Sequence, residues 1–378
     1  MTKYSVRRKR SMDETLRYKI ALSLIPGLNA VERRLLLDHF GSAEAVFSKE
    51  RLNQANDLNP KIRKNILQGT ALQKADEEII NIEKNHIQVC FINDDNYPKR
   101  LKACPDAPVI IYSKGLSDLN ASKVLAIVGT RHATTYGKSL TEHLVRDLAQ
   151  VFPDIIILSG LAYGIDICAH KAAIANNLNT VAVLGHGLQE IYPVMHRDIA
   201  AKMQCNGSLI TELPWGTPSA GWRFIQRNRL VAGMSDACIV IESAEKGGSL
   251  ITAQMTSDYG KDVFAFPGRP CDEYSRGCNL LIKKQIAGLI ESAEDVITGM
   301  NWTTSQKNKQ IQRCLFPDLN PPEERLYHCM TIGEKQSVNE LAIQMETKIG
   351  ETLSLLLQLE MAGLVEALPG GLYCKKEI

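Results

Sequence analysis

Basic and small residues follow directly on the apolar segments of this chain, where they could bind an anion. The segment Val124–Val128 consists of five apolar residues and ends at Gly129, after which come Thr130 and Arg131. A run so short and so apolar is typical of a central strand that is buried on both faces. Because ligands of parallel α/β sheets bind beyond the carboxyl ends of the strands, Arg131 is placed to meet an anionic group.

Glycine-rich turns follow two other predicted strands, over 155–158 and 238–241. The residues after these strands include Gly160, Lys246, Gly247, Gly248 and Ser249. Glycines allow close approach of a ligand to the backbone, and a helix that begins after such a turn presents amides at the positive end of its dipole. We therefore expect the second turn to hold a phosphate, with a plain helix N-cap turn as the alternative.

A predicted helix carries the second concentration of positive charge. Within about two turns it contains Arg223, Phe224, Arg227, Asn228 and Arg229. Arg223 and Arg227 are four residues apart and share a face, whereas Arg229 points elsewhere. Guanidinium groups beside an aromatic ring suit a nucleic-acid strand with exposed bases, because phosphates pair with the arginines and bases stack on the ring. The alternative is that the arginines pair with Glu212 or Glu242 inside the fold.

Three nucleotide-binding or catalytic motifs are each incomplete. His132 stands where a P-loop ending at Gly137–Ser139 needs its leading glycine. Glu190 replaces the third glycine of a dinucleotide-binding motif, and Ala162 replaces the serine of a nucleophile elbow. These spacings argue against nucleotide hydrolysis by a P-loop, dinucleotide binding and serine-hydrolase chemistry.

Asp166 and His170 are the remaining candidates for catalysis. They lie four residues apart on one predicted helix face, so they could form an acid–base pair or a hydrogen bond that positions the helix. Since no nucleophile accompanies them, we predict no catalytic residues, no metal site and no cofactor, and hence a protein that is not an enzyme.

The composition limits the possible partners. The chain has 378 residues, a net charge of +2 and ten cysteines that are scattered singly. With no strong overall positive field, a nucleic-acid site has to be a local groove. Many free cysteines without a disulfide or zinc framework fit a reducing compartment. No apolar run approaches the roughly 18 residues that span a membrane, so we expect a cytoplasmic protein without membrane contact.

The elements that must position these residues follow from the alternation of predicted strands and helices. Over 123–298 this alternation predicts a Rossmann-like parallel sheet with right-handed crossovers, in an α/β fold with accessory modules. We divide the chain into a basic tail (1–14), a helical module of SAM or helix–hairpin–helix type (15–75), a connecting helix with two edge strands (76–122), the core (123–298), a linker (299–320) and a winged-helix-like module (321–378).

The two terminal modules are open to interpretation. The turn Ile25–Leu28 resembles that of a helix–hairpin–helix, whose amides can hold a phosphate, although small helical bundles use such turns for packing as well. In the C-terminal module, the candidate recognition helix Lys348–Glu360 has one lysine, two glutamates and five leucines. Since this composition is poorly suited to phosphates, we expect packing or a protein partner there, with duplex DNA as the alternative.

Several motifs, in this order, resemble those of one known family, the DNA-processing protein A (DprA or Smf) family. They are Ala126–Arg131, Ser159–Asp166 with His170, Phe224–Arg229, Gly248–Thr252, Val263–Gly268 and Gly277–Asn279. The resemblance covers about residues 105–298 closely. It implies a bacterial cytoplasmic protein that binds single-stranded DNA, loads the RecA recombinase onto it during natural transformation and recombination, and forms a homodimer.

The resemblance also implies which residues meet DNA. Family site residues carry over to Arg131, to Phe224 and to the motif Arg227–Arg229, and the turn before Leu250 carries over as a phosphate-facing turn. Two positions depart from relatives that have lysine: Val194 after Tyr-Pro, and Gly221 three residues before the motif phenylalanine. Nearby arginines at 197 and 223 are candidates for compensation.

An enzyme is the alternative function. Hydrolases of the lysine-decarboxylase-like group, which process nucleotides, also place a Gly-Gly turn before a helix. In that group the turn is followed by a glutamate that acts as acid or base. Here Ser249 is followed by Leu-Ile-Thr-Ala and Gln254, with no carboxylate in place.

Overall fold

The computed structural model describes residues 14–55, 58–302, 320–331, 335–361, 364–368 and 371–375. It contains two compact units, one that ends at Trp302 and one that begins at Thr303. The predicted basic tail, except its last residue, and most of the predicted linker lie outside the described residues.

Helices precede the sheet in the first unit. They are α1 (14–23), α2 (Ala30–Phe40), α3 (Ala43–Val46), α4 (Lys49–Gln54), α5 (Pro60–Leu67) and α6 (Thr70–Asn85). Buried Ile20, Leu37 and Val46 belong to the same hydrophobic cluster as Ile111 and Ala126 of the sheet. The predicted boundary between 75 and 76 falls inside α6, so the helical module continues into the core instead of forming a separate body.

The turn between α1 and α2 is used for packing. Its residue Gly27 has a φ of 81°, and the carbonyl of Pro26 accepts a hydrogen bond from the Asn65 side chain at 3.0 Å. A capping box satisfies the amides of Asn29 and Glu32 at the start of α2. These contacts within the protein favour the packing interpretation over a phosphate site.

A nine-stranded sheet forms the centre of the first unit. Its strands are β1 (Gln88–Phe91), β2 (Ile110–Gly115), β3 (Val124–Val128), β4 (Ile156–Ser159), β5 (Asn179–Val183), β6 (Ser208–Thr211), β7 (Ala237–Val240), β8 (Asp262–Ala265) and β9 (Gly288–Leu289). The spatial order is β1-β2-β6-β5-β4-β3-β7-β8-β9. From β6 to β9 in this order, neighbouring strands pair in parallel, whereas β1 and β2 are antiparallel additions. Strand β2 lies between β1 and β6, so only one of the two predicted edge strands is an edge.

Helices cover both faces of this sheet. They are α7 (Lys99–Lys102), α8 (Thr135–Val151), α9 (Ile165–Ala175), α10 (Arg197–Asn206), α11 (Gly221–Met234), α12 (Gly248–Asp258), α13 (Arg276–Lys283) and α14 (Ala293–Gly299). Strand β3 shows the two-sided burial, because Leu125 and Ile127 pack with α8 while Ala126 and Val128 pack with α11. The predicted Rossmann-like fold class is confirmed. The predicted linker begins too early, because the ring of Trp302 packs against Phe152 with centroids 5.6 Å apart.

The second unit is a winged helix. It consists of α15 (Pro321–Cys329), β10 (Lys335–Ser337), α16 (Val338–Gln344), α17 (Ile349–Met361), β11 (Val365–Leu368) and β12 (Leu372–Lys375), with sheet order β10-β12-β11. A capping box between Ser337 and Glu340 opens α16, as its spacing predicts. Of the leucines in α17, Leu356 and Leu359 are buried in this unit's core.

Within the described ranges, no helix is both long and apolar enough to cross a membrane.

Candidate nucleic-acid interface

A cavity of about 860 Å³ opens at the carboxyl ends of the parallel strands. Strand β3 is followed in the chain by β4, which lies on one side of it, while β7 lies on the other side. The chain therefore changes direction across the sheet between β3 and β7, and ligands of doubly wound folds bind at such a switch point. The cavity is lined by the loops after β3, β4 and β7 and by the first turns of α11 and α12.

Most of the predicted site residues meet in this cavity. Those that line it are Gly129, Thr130, Arg131, Gly160, Phe224, Arg227, Asn228, Gly247, Gly248 and Ser249. Arg223, Arg229 and Lys246 are not among the lining residues. Lys246 is exposed, and Arg223 donates to the carbonyl of Pro218 at 2.5 Å with its guanidinium over the Trp222 ring.

The loop after β3 holds Arg131 in a fixed backbone position. The amide of Thr130 donates to the carbonyl of Glu242 at 2.7 Å, and the amide of Ile165 donates to the carbonyl of Thr130 at 3.2 Å. A side chain at Gly164 would place its Cβ 2.1 Å from that carbonyl, so glycine is required for the close approach. The Arg131 side chain is exposed, and among the described residues no carboxylate pairs with it. Its charge is therefore available to a ligand.

Glu242 supports this loop and does not pair with an arginine. Its carboxylate is buried and accepts from Thr134, from the amide at 2.9 Å and from the hydroxyl at 2.5 Å. It fills the space beside Gly137, where a Cβ would lie 2.2 Å from the carboxylate. The hypothesis of an internal partner for the helix arginines is therefore wrong for Glu242.

The turn before α12 leaves amides open. Helix α12 begins at Gly248 without a side-chain cap, because its N-cap residue is Gly247, and the Ser249 hydroxyl donates to Ser243 Oγ at 2.8 Å. The first amides of a helix need partners from outside it, and an anion at the positive end of the dipole supplies them. The uncapped start favours the predicted phosphate site over a plain N-cap turn.

Phe224 offers a flat ring beside Arg131. The Arg131 guanidinium carbon lies 5.9 Å from the centroid of this ring, and Tyr192 stacks on the ring with centroids 5.4 Å apart. Gly185 permits this position, since a Cβ there would lie 2.8 Å from Phe224 Cδ1.

Arg227 lines the cavity, but its guanidinium already donates hydrogen bonds to backbone carbonyls of the protein. Its side chain is 5% exposed and donates from Nη1 to the carbonyls of Gly160, at 2.7 Å, and of Val183. A Cβ at Gly160 would lie 2.4 Å from Arg227 Nη2, which explains the glycine. Burial lowers the pKa of Arg227 to about 10, and the nearby Asp166 carboxylate acts in the opposite direction. Arg227 therefore shapes the site and adds positive potential without presenting its hydrogen-bond donors freely.

Arg229 does not reach the cavity. Its guanidinium forms an ion pair with Glu212 and donates from Nη1 to the carbonyl of Asp106 at 2.6 Å. This is the predicted alternative of an internal partner, which holds for Glu212. The helix geometry explains why Arg227 lines the cavity and Arg229 does not. Arg229 lies about 200° around the helix axis from Arg227, so its side chain points away from the cavity.

We expect Arg229→Met to lower stability more than DNA affinity. The ion pair with Glu212 is largely buried, with side chains 13% and 20% exposed. Leaving Glu212 unpaired should reduce the free energy of unfolding by about 1–3 kcal/mol, less than the loss for a fully buried pair. Urea denaturation measures this change, and the affinity per folded molecule should stay within about twofold of wild type. A large loss of DNA affinity with unchanged stability would instead indicate that Arg229 contacts DNA.

Asp166 and His170 do not pair with each other. Asp166 accepts from the amides of Gly160, at 3.1 Å, and Ala162, at 3.4 Å, and burial raises its pKa against the pull of Arg227. His170 Nδ1 lies 2.7 Å from Thr180 Oγ1, whose hydroxyl donates to a carbonyl of β4. Nδ1 must therefore carry the proton. Both side chains fix the start and the middle of α9 against the sheet.

Because His170 is buried, we expect the protein to lose stability in acid. Burial, with a contribution from the charge of Arg227, lowers its pKa to about 3. The unfolded-state pKa of about 6.5 is higher, so stability is complete above pH 6.5 and falls as the pH drops toward 3, by about 1.4 kcal/mol per pH unit. Urea denaturation at pH 7 and pH 5 should show this loss as a lower free energy of unfolding at pH 5. In His170→Asn, which keeps a donor for Thr180, the difference between the two pH values should be smaller than in wild type by about 2 kcal/mol. An identical pH dependence for both proteins would contradict the assignment.

Sequence reasoning missed part of the lining. The additional residues include His132, Asp166, Tyr192, Glu273 and Tyr274. In the sequence, His132 is notable only as a mismatch to a P-loop, and Tyr274 belongs to a short 3₁₀ helix after β8 that carries no motif. Their position depends on tertiary packing. Among the described residues, no group of three or more His, Cys, Asp or Glu side chains could hold a metal ion.

The fold and the cavity place the protein among doubly wound α/β proteins whose ligand site lies at the switch point of the sheet. Comparison with family models then gives the particular assignment. Residues 88–301 match the model of DNA recombination-mediator protein A, and residues 317–371 match the DprA winged helix domain. The chain belongs to the DNA recombination-mediator protein A (DprA/Smf) family, and the resemblance found in its motifs is confirmed.

Known relatives agree with this assignment. The DNA processing protein DprA of Bacillus subtilis is 39% identical over 206 residues, which are 54% of this chain and 68% of that protein. The structure of DprA from Streptococcus pneumoniae is 31% identical with a TM-score of 0.64, over 75% of this chain and 97% of that one. A DprA structure from Helicobacter pylori is 30% identical with a TM-score of 0.51, over 57% of this chain and 97% of that one.

Proposed function

We propose that the cavity binds single-stranded DNA. The observation that carries the proposal is the Arg131 guanidinium, which has no carboxylate partner in the described part of the chain and lies over the Phe224 ring, in the cavity that the uncapped start of α12 also lines. Arg131 and the amides of Gly248 and Ser249 supply groups for phosphates, and Phe224 supplies a face for a base. The Helicobacter pylori structure is described as showing a single-stranded DNA binding mode, which supports the same ligand here.

The aromatic groups favour a single strand over a duplex. Bases of a duplex are stacked on one another and cannot lie on a protein ring without being extruded. The Phe224 ring is half-buried in the cavity wall, so a base has to enter the cavity to reach it. An unpaired strand can present such a base, with its phosphates on either side.

We extend the proposal to the wider role of the family. A recombination mediator that holds single-stranded DNA would deliver it to the RecA recombinase in the cytoplasm during natural transformation, as a homodimer. Membership of the family supports this role. Stimulation of DNA-dependent ATP hydrolysis by RecA tests the delivery step, and sedimentation tests the dimer.

The proposed ligand is tested by titrating single- and double-stranded oligonucleotides of equal length over a range of salt concentrations. We expect tighter binding of the single strand. Because Arg131 and Arg227 are the positively charged side chains among the described lining residues, one or two phosphates are neutralised in the cavity, and log K should fall against log salt with a slope of about −0.7 to −1.4. Equal affinity for both forms, or no binding at low salt, would overturn the proposal. Incubation with nucleoside monophosphates tests the hydrolase alternative, which requires release of the free base.

A further inference from the structure

We propose that His132 and Tyr274 form a second subsite for a DNA base in the cavity that also contains Arg131 and Phe224. The inference rests on the proposed binding of single-stranded DNA and adds a second place at which a base binds. Both residues line the cavity, and their rings are stacked with centroids 6.3 Å apart and an angle of 26° between the planes.

The subsite adds a second pair of stacked rings to the planar groups that line the cavity. Tyr192 stacks on Phe224 at 5.4 Å, and the Arg131 guanidinium carbon lies 5.9 Å from the Phe224 centroid. His132 follows Arg131 in the chain, and its ring stacks on Tyr274. All five residues line the same cavity. One cavity that contains an exposed cation and two pairs of stacked rings matches a strand that presents both phosphates and bases.

Hydrogen bonds fix the backbone segments that carry both rings. The amide of His132 donates to Thr130 Oγ1 at 3.1 Å, within the loop that positions Arg131. The carbonyl of Tyr274 accepts from the amide of Ser243 at 2.6 Å, and the amide of Gly277 donates to the carbonyl of Ser243 at 2.8 Å. The segment with Tyr274 is thereby tied to the loop after β7, whose Ser243 also bonds Ser249 at the start of α12. Such preorganisation lowers the entropy lost when a ligand binds.

Charge indicates that this end accepts a base and not a phosphate. Glu273 lines the cavity next to Tyr274 and is exposed, so its carboxylate repels phosphate groups. Among the described lining residues, Arg131 and the buried Arg227 are the only lysines or arginines. Stacking on a ring needs no charge and tolerates every base, because every base has a π-face.

The test combines oligonucleotides that lack one base with variants of the subsite. In wild type, an abasic position should weaken binding most at the two places that meet Phe224 and Tyr274. In Tyr274→Ala and His132→Ala, affinity for the intact strand should fall about fivefold or more. One of the two sensitive abasic positions should then become neutral. Tyr274→Phe keeps the ring and should restore both affinity and sensitivity, which separates stacking from a loss of folding.

The outcomes distinguish this inference from the function on which it rests. If wild type binds single strands and Arg131→Ala binds them at least about tenfold more weakly, the proposed function stands. Unchanged affinity of Tyr274→Ala, with the same abasic profile as wild type, would then overturn the second subsite alone. If wild type binds no single strand, the function itself fails.

Discussion

Arg131→Ala is expected to weaken binding of single-stranded DNA about 10- to 100-fold, the effect of removing a charge-assisted hydrogen bond worth about 1.5–3 kcal/mol. The side chain is exposed in the cavity and has no carboxylate partner among the described residues, so its loss leaves no internal charge unpaired. Fluorescence anisotropy with a labelled oligonucleotide measures the affinity, and the free energy of unfolding should be unchanged within about 0.5 kcal/mol.

Two matched variants control this prediction. Arg131→Lys keeps the charge but loses the planar fork, so its affinity should lie between those of wild type and Arg131→Ala. Arg146→Ala removes an exposed arginine that pairs with Asp147 on α8, outside the cavity lining. It should bind like wild type. The salt slope of Arg131→Ala should become shallower by about 0.7 per lost phosphate contact. Equal affinities for Arg131→Ala and Arg146→Ala would show that the arginine does not meet DNA.

Arg227→Met is expected to destabilise the fold by about 3–5 kcal/mol, the range for breaking a buried charged network. The guanidinium is 5% exposed and donates to the carbonyls of Gly160 and Val183, at the ends of two neighbouring strands. Methionine fills much of the volume but leaves both carbonyls unpaired, and it removes the positive charge beside buried Asp166. Urea denaturation measures the loss.

Two further variants separate these contributions. Arg223→Met lies one helical turn earlier, where the side chain is half-buried, and should cost less than about 1 kcal/mol. Asp166→Asn in the Arg227→Met background should recover part of the stability, because it removes the unpaired carboxylate. A wild-type free energy of unfolding for Arg227→Met would mean that the buried network contributes nothing.

The parts of the fold that sequence predicts well are those with a strong local signal. Strand β3 begins and ends at the predicted residues, because a fully apolar run that stops at a glycine marks its limits. Helix α10 has no such signal at its start, since it opens with the polar residues Arg197 and Asp198, and only Ala200 and Met203 of its side chains are buried. The two-residue strand β9 has no pattern of its own and forms only because β8 offers a free edge.

The candidate site divides in the same way. Small residues after buried strands identify the loop with Arg131 and the turn before α12, because both follow from the geometry of parallel sheets. Periodicity shows that Arg223 and Arg227 share a face, but not which side chains the core covers. The partners of Arg227 and Arg229 are distant in sequence, as are the residues that bring Tyr274 to the cavity. Such long-range contacts leave no local pattern.

The continuity of α6 with the sheet determines how the first unit should unfold. Buried Glu78 of this helix accepts from the amide of Trp215 at 2.8 Å, and the preceding helices share the hydrophobic cluster of β2 and β3. The N-terminal helices and the Rossmann-like core should therefore melt in one cooperative transition. A fragment that begins at the sheet would expose the apolar side of β2, including Tyr112, and should aggregate. To separate DNA binding by the core from the role of the winged helix, the chain is best truncated after Trp302, because this cut keeps the cooperative unit whole.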